Sequence, residues 1–289
     1  MSRPPFAVPP VGVTARRLVT RRGEFAVLDA APRDERPIGT ALLIPGYTGS
    51  KEDFIALLAP LAEAGYRAVA VDGRGQFESS GVLPHAAYRL GALAEDVLAQ
   101  AEELGPEPIH LVGHSLGGLI SRGAVLRAAA AGRRPFASLT LIASGAGRVA
   151  RWQRVKVRAL AVTLPVLGAG TIFRLVHRRG TEAEAEIDEL LRRRWVSNAP
   201  AQLRATGRTL RFEPDRVARL AAVGLPIHVL SGERDGAWPV RGLDRMAHTL
   251  RARRTVIRGA GHSPNAERPD ATAAALTEFW STLSRDARG

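Results

Sequence analysis

The chain is expected to fold as an α/β protein: a mostly parallel twisted sheet with helices on both faces and an inserted helical cap. Three observations carry that expectation. Short, nearly uncharged apolar runs recur along the 289 residues, such as Ala41-Leu42-Leu43-Ile44 and Ala68-Val69-Ala70-Val71. Segments with helical spacing of apolar side chains stand between them. One long stretch breaks the alternation. Uncharged strands are those covered on both faces, and a helix between consecutive strands makes those strands parallel.

Residues 11–30 come first and differ from the rest. Runs such as Arg17-Leu18-Val19 and Phe25-Ala26-Val27-Leu28 alternate apolar and polar residues, which predicts an antiparallel hairpin. The strand 41–44 ends at Pro45-Gly46-Tyr47-Thr48-Gly49. Ser50 then stands where it can cap a helix through Phe54, Leu57, Leu58 and Leu61, which Gly65 terminates. The strand 68–71 ends at Asp72-Gly73-Arg74-Gly75, and a helix follows over about 87–104. Ile109-His110-Leu111-Val112 is the next strand, and the segment 118–131 is a helix closing at Gly132. Leu139-Thr140-Leu141-Ile142, Pro226-Ile227-His228-Val229-Leu230 and Thr255-Val256-Ile257 give three more strands, the last two followed by helical segments.

The break in the alternation defines the domains: a core of residues 1–146 and 219–289, with a helical cap over 147–218. Within it Val149, Val157, Leu160, Ala161 and Leu164 share one helical face, Arg148, Arg151, Arg154 and Arg158 gather on another, and Pro165 is expected to end the helix. The chain is uncharged from Ala159 to Phe173, short of the ~20 apolar residues of a membrane span. Pro165, Gly168 and Gly170 interrupt it as well, so a transmembrane helix is not expected.

Composition narrows the chemistry. There are no cysteines, which excludes disulfides, thiolate metal sites and cysteine nucleophiles. Met1-Ser2-Arg3-Pro4-Pro5 leads into no apolar h-region, so no signal peptide is expected and the cytoplasm is the expected compartment. The formal charge is +13, yet Lys51 and Lys156 are the only lysines. An excess of arginine of that kind reflects base composition more than a binding role. No recognition motif or aromatic platform accompanies it, and no specific nucleic-acid partner is expected. The charge is uneven, however. Residues 148–216 hold fifteen basic and seven acidic side chains, and with Trp152 beside the arginines this suggests peripheral contact with an anionic membrane or an anionic headgroup.

The residues that carry chemistry sit at strand ends, where open α/β sheets bind ligands. Gly113-His114-Ser115-Leu116-Gly117 joins a strand to a helix, a sharp turn that exposes the serine hydroxyl above the sheet. The Leu116 N–H lies at the positive end of that helix, where it can stabilise an oxyanion. A serine hydroxyl needs a base, and the base needs an orienting acid. Of the seven histidines, His110 and His228 lie inside strands, and His114 sits in the turn without easy reach to the hydroxyl. His85, His177 and His248 read as surface residues. His262, after Gly259-Ala260-Gly261, is on the loop following the last strand and can swing over the sheet. For the acid, Gly232-Glu233-Arg234-Asp235 offers Asp235 and, two residues away, Glu233. Asp235 is favoured by its place on the turn before Trp238-Pro239-Val240. Asp72 and Arg74 are assigned to holding loops together, and Glu78 to solvent.

With these motifs in view the chain resembles the α/β-hydrolase fold superfamily over nearly everything except the cap. The resemblance implies Ser115 as nucleophile, His262 as base and Asp235 as acid, in the chain order that fold uses. It implies backbone N–H groups of Tyr47 and Leu116 as the oxyanion hole. It implies no metal and no cofactor, and a small-molecule ester or lipid-like substrate with an apolar acyl group. Val157, Leu160, Leu164, Val166, Leu167, Ile172 and Phe173 of the cap are the candidates to line the acyl site. Thioester or amide cleavage, acyl transfer, or binding with little turnover would use the same residues. Two departures stand out: Pro45 where relatives have histidine, and Phe77 where a glycine is common. A serine rather than an aspartate nucleophile also argues against dehalogenase and epoxide hydrolase chemistry.

Overall fold

The structure is a computed structural model that describes residues 2–33, 35–81, 85–177, 181 and 184–286. Met1 and, within the insertion expected over 147–218, residues 178–180 and 182–183 lie outside the described residues. Among the described residues the chain builds one eight-stranded sheet.

The hairpin is β1 (Val13–Thr20) and β2 (Gly23–Ala30), paired antiparallel. It is followed by β3 (Gly39–Ile44), a single turn of 3₁₀ helix at Lys51–Phe54, α1 (Ile55–Glu63) and β4 (Tyr66–Val71). Ser50 does not cap this helix: its hydroxyl is turned to Glu52 Oε2 at 2.5 Å. Next come α2 (Leu90–Glu103), β5 (Ile109–His114), α3 (Leu116–Ala130) and β6 (Phe136–Ile142). After β6 the chain leaves the sheet for α4 (Arg151–Val176), α5 (Ala185–Ser197), α6 (Pro200–Phe212) and α7 (Val217–Ala221). It returns with β7 (Ile227–Gly232), α8 (Val240–Leu250), β8 (Arg253–Ile257), α9 (Pro264–Glu267) and α10 (Pro269–Asp286).

The strand order is β1-β2-β4-β3-β5-β6-β7-β8, and every pairing from β4 to β8 is parallel. After β4 the chain recrosses β3 to lay down β5, so the winding reverses beside β3 and β5. Loops diverge at such a switch point and leave a crevice at the carboxyl ends of the strands. β3, β5 and β7 are buried at every residue, which is why their sequences carry no polar alternation. Neighbours along a strand still face opposite ways. Leu42 and Leu111 pack with Val97, Leu119 and Met246 of α2, α3 and α8. Leu43 and Val112 pack on the other face with Leu57, Leu276 and Trp280 of α1 and α10.

Pro165 does not end the first insertion helix. α4 runs through it to Val176, and the break falls at Gly168, whose φ of 71° and ψ of 158° are non-helical. Proline removes one hydrogen bond that a bent helix tolerates losing; the reversal itself settles on the residue with no β-carbon to strain. At 26 residues α4 is therefore long and apolar enough to cross a membrane by length and composition. Its inner face is nonetheless engaged: Leu164, Ile172 and Phe173 form a small core with Leu191, Trp195 and Leu203 of α5 and α6.

Candidate active site

The carboxyl ends of β3, β5, β7 and β8 bring together Tyr47, Ser115, Asp235 and His262. Ser115 holds φ 54° and ψ −117° at the junction of β5 and α3, a region non-glycine residues rarely occupy. Its neighbours explain how. A β-carbon on Gly113 would lie 2.5 Å from the Gly117 carbonyl oxygen, and one on Gly117 would lie 2.2 Å from the Ile44 carbonyl oxygen. Only glycine lets the turn close this tightly against β3. The Leu116 N–H opens α3 and has no intrahelical acceptor, so it is free to meet an anion.

His262 is brought to Ser115 across the sheet. Its strand lies three positions from β5, about 14 Å at ordinary strand spacing, so the loop after β8 has to lean back over β7. Gly232 permits this: a β-carbon there would lie 2.1 Å from the Gly261 carbonyl oxygen. The Arg234 N–H bonds the Ala260 carbonyl oxygen at 3.1 Å and holds the crossing loop.

The result is a continuous hydrogen-bond chain. His262 Nδ1–H donates to Asp235 Oδ1 at 2.9 Å, and His262 Nε2 stands 3.0 Å from Ser115 Oγ. A carboxylate only accepts, so the Asp235 bond fixes the tautomer in which Nε2 is bare and faces the serine proton. Asp235 is buried, and its Oδ1 also takes the Ala237 N–H at 2.8 Å. Glu233 lies elsewhere: its side chain is 42% exposed, and its nearest ion-pair partner is Arg234 at 3.9 Å. Of the two candidate acids, the structure sets Asp235 against the imidazole.

Two residues that sequence reasoning passed over hold this geometry. His114 Nε2–H donates to the His262 carbonyl oxygen at 2.9 Å, joining the end of β5 directly to the β8 loop. Burial, with His262 nearby, lowers the His114 pKa to about 3, so the ring stays neutral. Gln76 spans two loops, donating from Nε2 to the Gly46 carbonyl oxygen at 2.8 Å and accepting the Gly73 N–H at 3.0 Å. It thereby fixes the peptide unit that carries the Tyr47 N–H. The Tyr47 hydroxyl donates to the Leu203 carbonyl oxygen of α6 at 2.8 Å, tying that loop to the insertion. Burial pushes the phenol's pKa up.

Asp72 and Arg74 hold loops as expected. Asp72 Oδ1 accepts the Lys51 N–H, and Arg74 makes two 2.7 Å bonds to Asp96. Glu78 is not merely solvated: it stands 2.7 Å from Lys51 Nζ, which also meets Asp72 and Glu52. Phe77 holds a left-handed backbone at φ 38°, a conformation that favours glycine. Its ring lies 4.7 Å from the Lys51 ammonium, a cation–π contact that offsets the strain. His177, expected at the surface, is largely buried against the Phe173 ring and lies 3.2 Å from Asp188.

A cavity of about 810 Å³ opens over Ser115 and His262 and continues into the insertion, where Leu160, Ile172, Phe173 and Trp195 wall it. Val157 lines it too. Leu164 instead packs within the insertion core, and Val166 and Leu167 point to solvent. At about 100° per residue Val166 falls about 120° around the helix from Leu160 and so faces away from the cavity.

A model described as the Alpha/beta hydrolase family matches residues 41–275. Over 103 residues the chain is 35% identical to Epoxide hydrolase B of Mycobacterium tuberculosis, covering 35% of this chain and 28% of that protein. The chain thus matches less than a third of that curated relative's length. A thermophilic esterase from Thermogutta terrifontis shares 24% identity over 93% of this chain and 99% of its own, with a TM-score of 0.72. An enol-lactonase from Burkholderia xenovorans shares 20% identity over 92% and 100%, with a TM-score of 0.75. At these identities the two structures are similar in fold.

Proposed function

The chain belongs to the alpha/beta hydrolase family, and from that premise we propose that it is a serine hydrolase cleaving carboxylic esters with an apolar acyl group. The observation that carries the reading is the chain Ser115–His262–Asp235, at 3.0 and 2.9 Å. His262 Nε2 takes the Ser115 proton as Oγ attacks the ester carbonyl. The N–H groups of Tyr47 and Leu116 receive the developing oxyanion, a stabilisation worth several kcal/mol where such donors are preorganised. The imidazolium then gives its proton to the leaving alkoxide, and an acyl-serine remains. His262 next takes a proton from water as the water oxygen attacks the acyl carbonyl. The bond from the acyl carbon to Ser115 Oγ breaks, the carboxylic acid is released, and the serine regains its proton from His262. Asp235 keeps the imidazole oriented throughout. The helices of 147–218 act as the cap, and Leu160, Ile172, Phe173 and Trp195 receive the acyl chain.

Epoxide opening does not suit this nucleophile. Serine attack on an epoxide carbon would leave an alkyl ether, which activated water cannot hydrolyse, whereas a carboxylate nucleophile leaves an ester. Two measurements test the reading. A fluorophosphonate probe is expected to label Ser115 covalently, and Ser115→Ala to abolish labelling and lower kcat about 10⁴-fold or more. Folded protein that resists the probe overturns the assignment. In a series of p-nitrophenyl esters, kcat/KM is expected to rise up to about fourfold per added methylene until the cavity is filled. A preference for acetate over longer chains removes the apolar acyl site.

A further inference from the structure

α4 is apolar on two sides, and only one of them is used. Its inner residues Val157, Leu164, Ile172 and Phe173 are buried. On the opposite side Val155, Val162 and Val166 follow one another at helical spacing for about 16 Å, and at the N-terminal end of the stripe the half-exposed Trp152 is anchored by its Nε1–H to the Gly236 carbonyl oxygen at 3.1 Å. Trp152 is 50% exposed, Val155 67%, Val162 64% and Val166 81%. A surface helix ordinarily turns a polar face to water, so an exposed apolar stripe of this length marks a contact surface.

Its borders indicate the partner. On the wheel Arg151 and Arg158 flank one edge of the stripe and Lys156 the other, with Lys156 Nζ 4.6 Å from the Trp152 ring. Among the described residues no carboxylate pairs with Arg148, Arg151 or Arg158. A valine stripe edged by free cations matches the boundary between acyl chains and anionic headgroups. It does not match a second copy of the same face, whose arginines would repel. A span through the bilayer is ruled out by the same residues. The helix breaks at Gly168, in the middle of the uncharged stretch 159–173, and its inner face is committed to the protein.

We infer that the outer face of α4 docks on an anionic phospholipid bilayer, with the helix lying in the interface. The inner face of the same helix walls the cavity above Ser115, so docking brings that cavity within about one helix diameter of the lipid, about 10 Å. The inference does not depend on the ester-hydrolase reading, and its test uses no turnover. Wild-type protein is expected to float with vesicles of equimolar phosphatidylcholine and phosphatidylglycerol, to stay behind with phosphatidylcholine alone, and to lose most of its binding in about 0.5 M salt. Arg151→Gln with Arg158→Gln is expected to weaken partitioning roughly thirtyfold. Val162→Asp with Val166→Asp is expected to abolish it without changing the melting temperature. Equal recovery on both vesicle types, or none on either, overturns the inference. So does a self-association in sedimentation velocity that the valine double variant abolishes, since a second copy would then cover the face. The salt arm uses unaltered protein and stands even if a variant misfolds.

Discussion

The Ser115–His262–Asp235 chain is fixed by residues that do not belong to it. Asp235 sets the imidazole tautomer, so Asp235→Asn is expected to lower kcat about 10⁴-fold while leaving the fold intact. Glu233→Gln, at the surface, is expected to leave kcat within about twofold of wild type, and a large loss there would move the acid assignment. Gln76 acts at one remove, through the Gly46 carbonyl. Gln76→Leu frees the loop that carries the Tyr47 amide and is expected to lower kcat up to about 100-fold, with KM nearly unchanged. Comparable losses in both constants would show general damage instead. The meeting of Ser115, His262 and Asp235 was legible because each follows a strand of the same sheet. Gln76 and His114 were not: their acceptors are carbonyl groups 30 and 148 residues away, and a carbonyl leaves no mark in a sequence.

Elements were legible where burial on both faces wrote itself into composition. β3, β5 and β7 came from uncharged runs, with ends displaced by a few residues because the last turns and bridges depend on neighbours. The anchoring of the insertion was not legible. Arg194 on α5 is fully buried, 2.7 Å from Asp53 Oδ1, and it donates to the Ser2 carbonyl oxygen at 2.6 Å. It thus joins α5, the turn after β3 and the N-terminal segment at one point. In sequence it is one arginine of three in a row, and nothing there separates it from its exposed neighbours. Arg194→Ala leaves the Asp53 carboxylate buried without its cation and is expected to cost about 3–5 kcal/mol in urea unfolding. Arg194→Met with Asp53→Asn is expected to recover much of that loss. No recovery would mean that the arginine serves chiefly the Ser2 carbonyl.

The whole molecule carries a pH dependence that no single element shows. Burial lowers the pKa of His110 to about 4 and of His114 and His228 to about 3. The unfolded chain binds these protons from about pH 6.5 downward and the folded chain does not. Their contribution to stability is therefore complete above pH 6.5 and falls as pH drops through a window that ends at about 4 for His110 and about 3 for His114 and His228, by roughly 2 kcal/mol for each ring by pH 5. Urea midpoints at pH 7.5 and 5 are expected to show this, and His110→Gln with His228→Gln to flatten the difference; an unchanged slope would place the acid sensitivity in other groups. The sequence by itself determined the strand–helix alternation, the residues at the strand ends and the departure of the chain from the sheet between β6 and β7, because these are properties of local composition. It also located the excess charge. Only the tertiary structure decided which acid meets His262, where α4 bends and which of its two apolar faces stays in water. Those outcomes depend on side chains meeting across the sheet and across the insertion, and on a loop after β8 that can lean over Gly232 because that residue has no side chain to stop it.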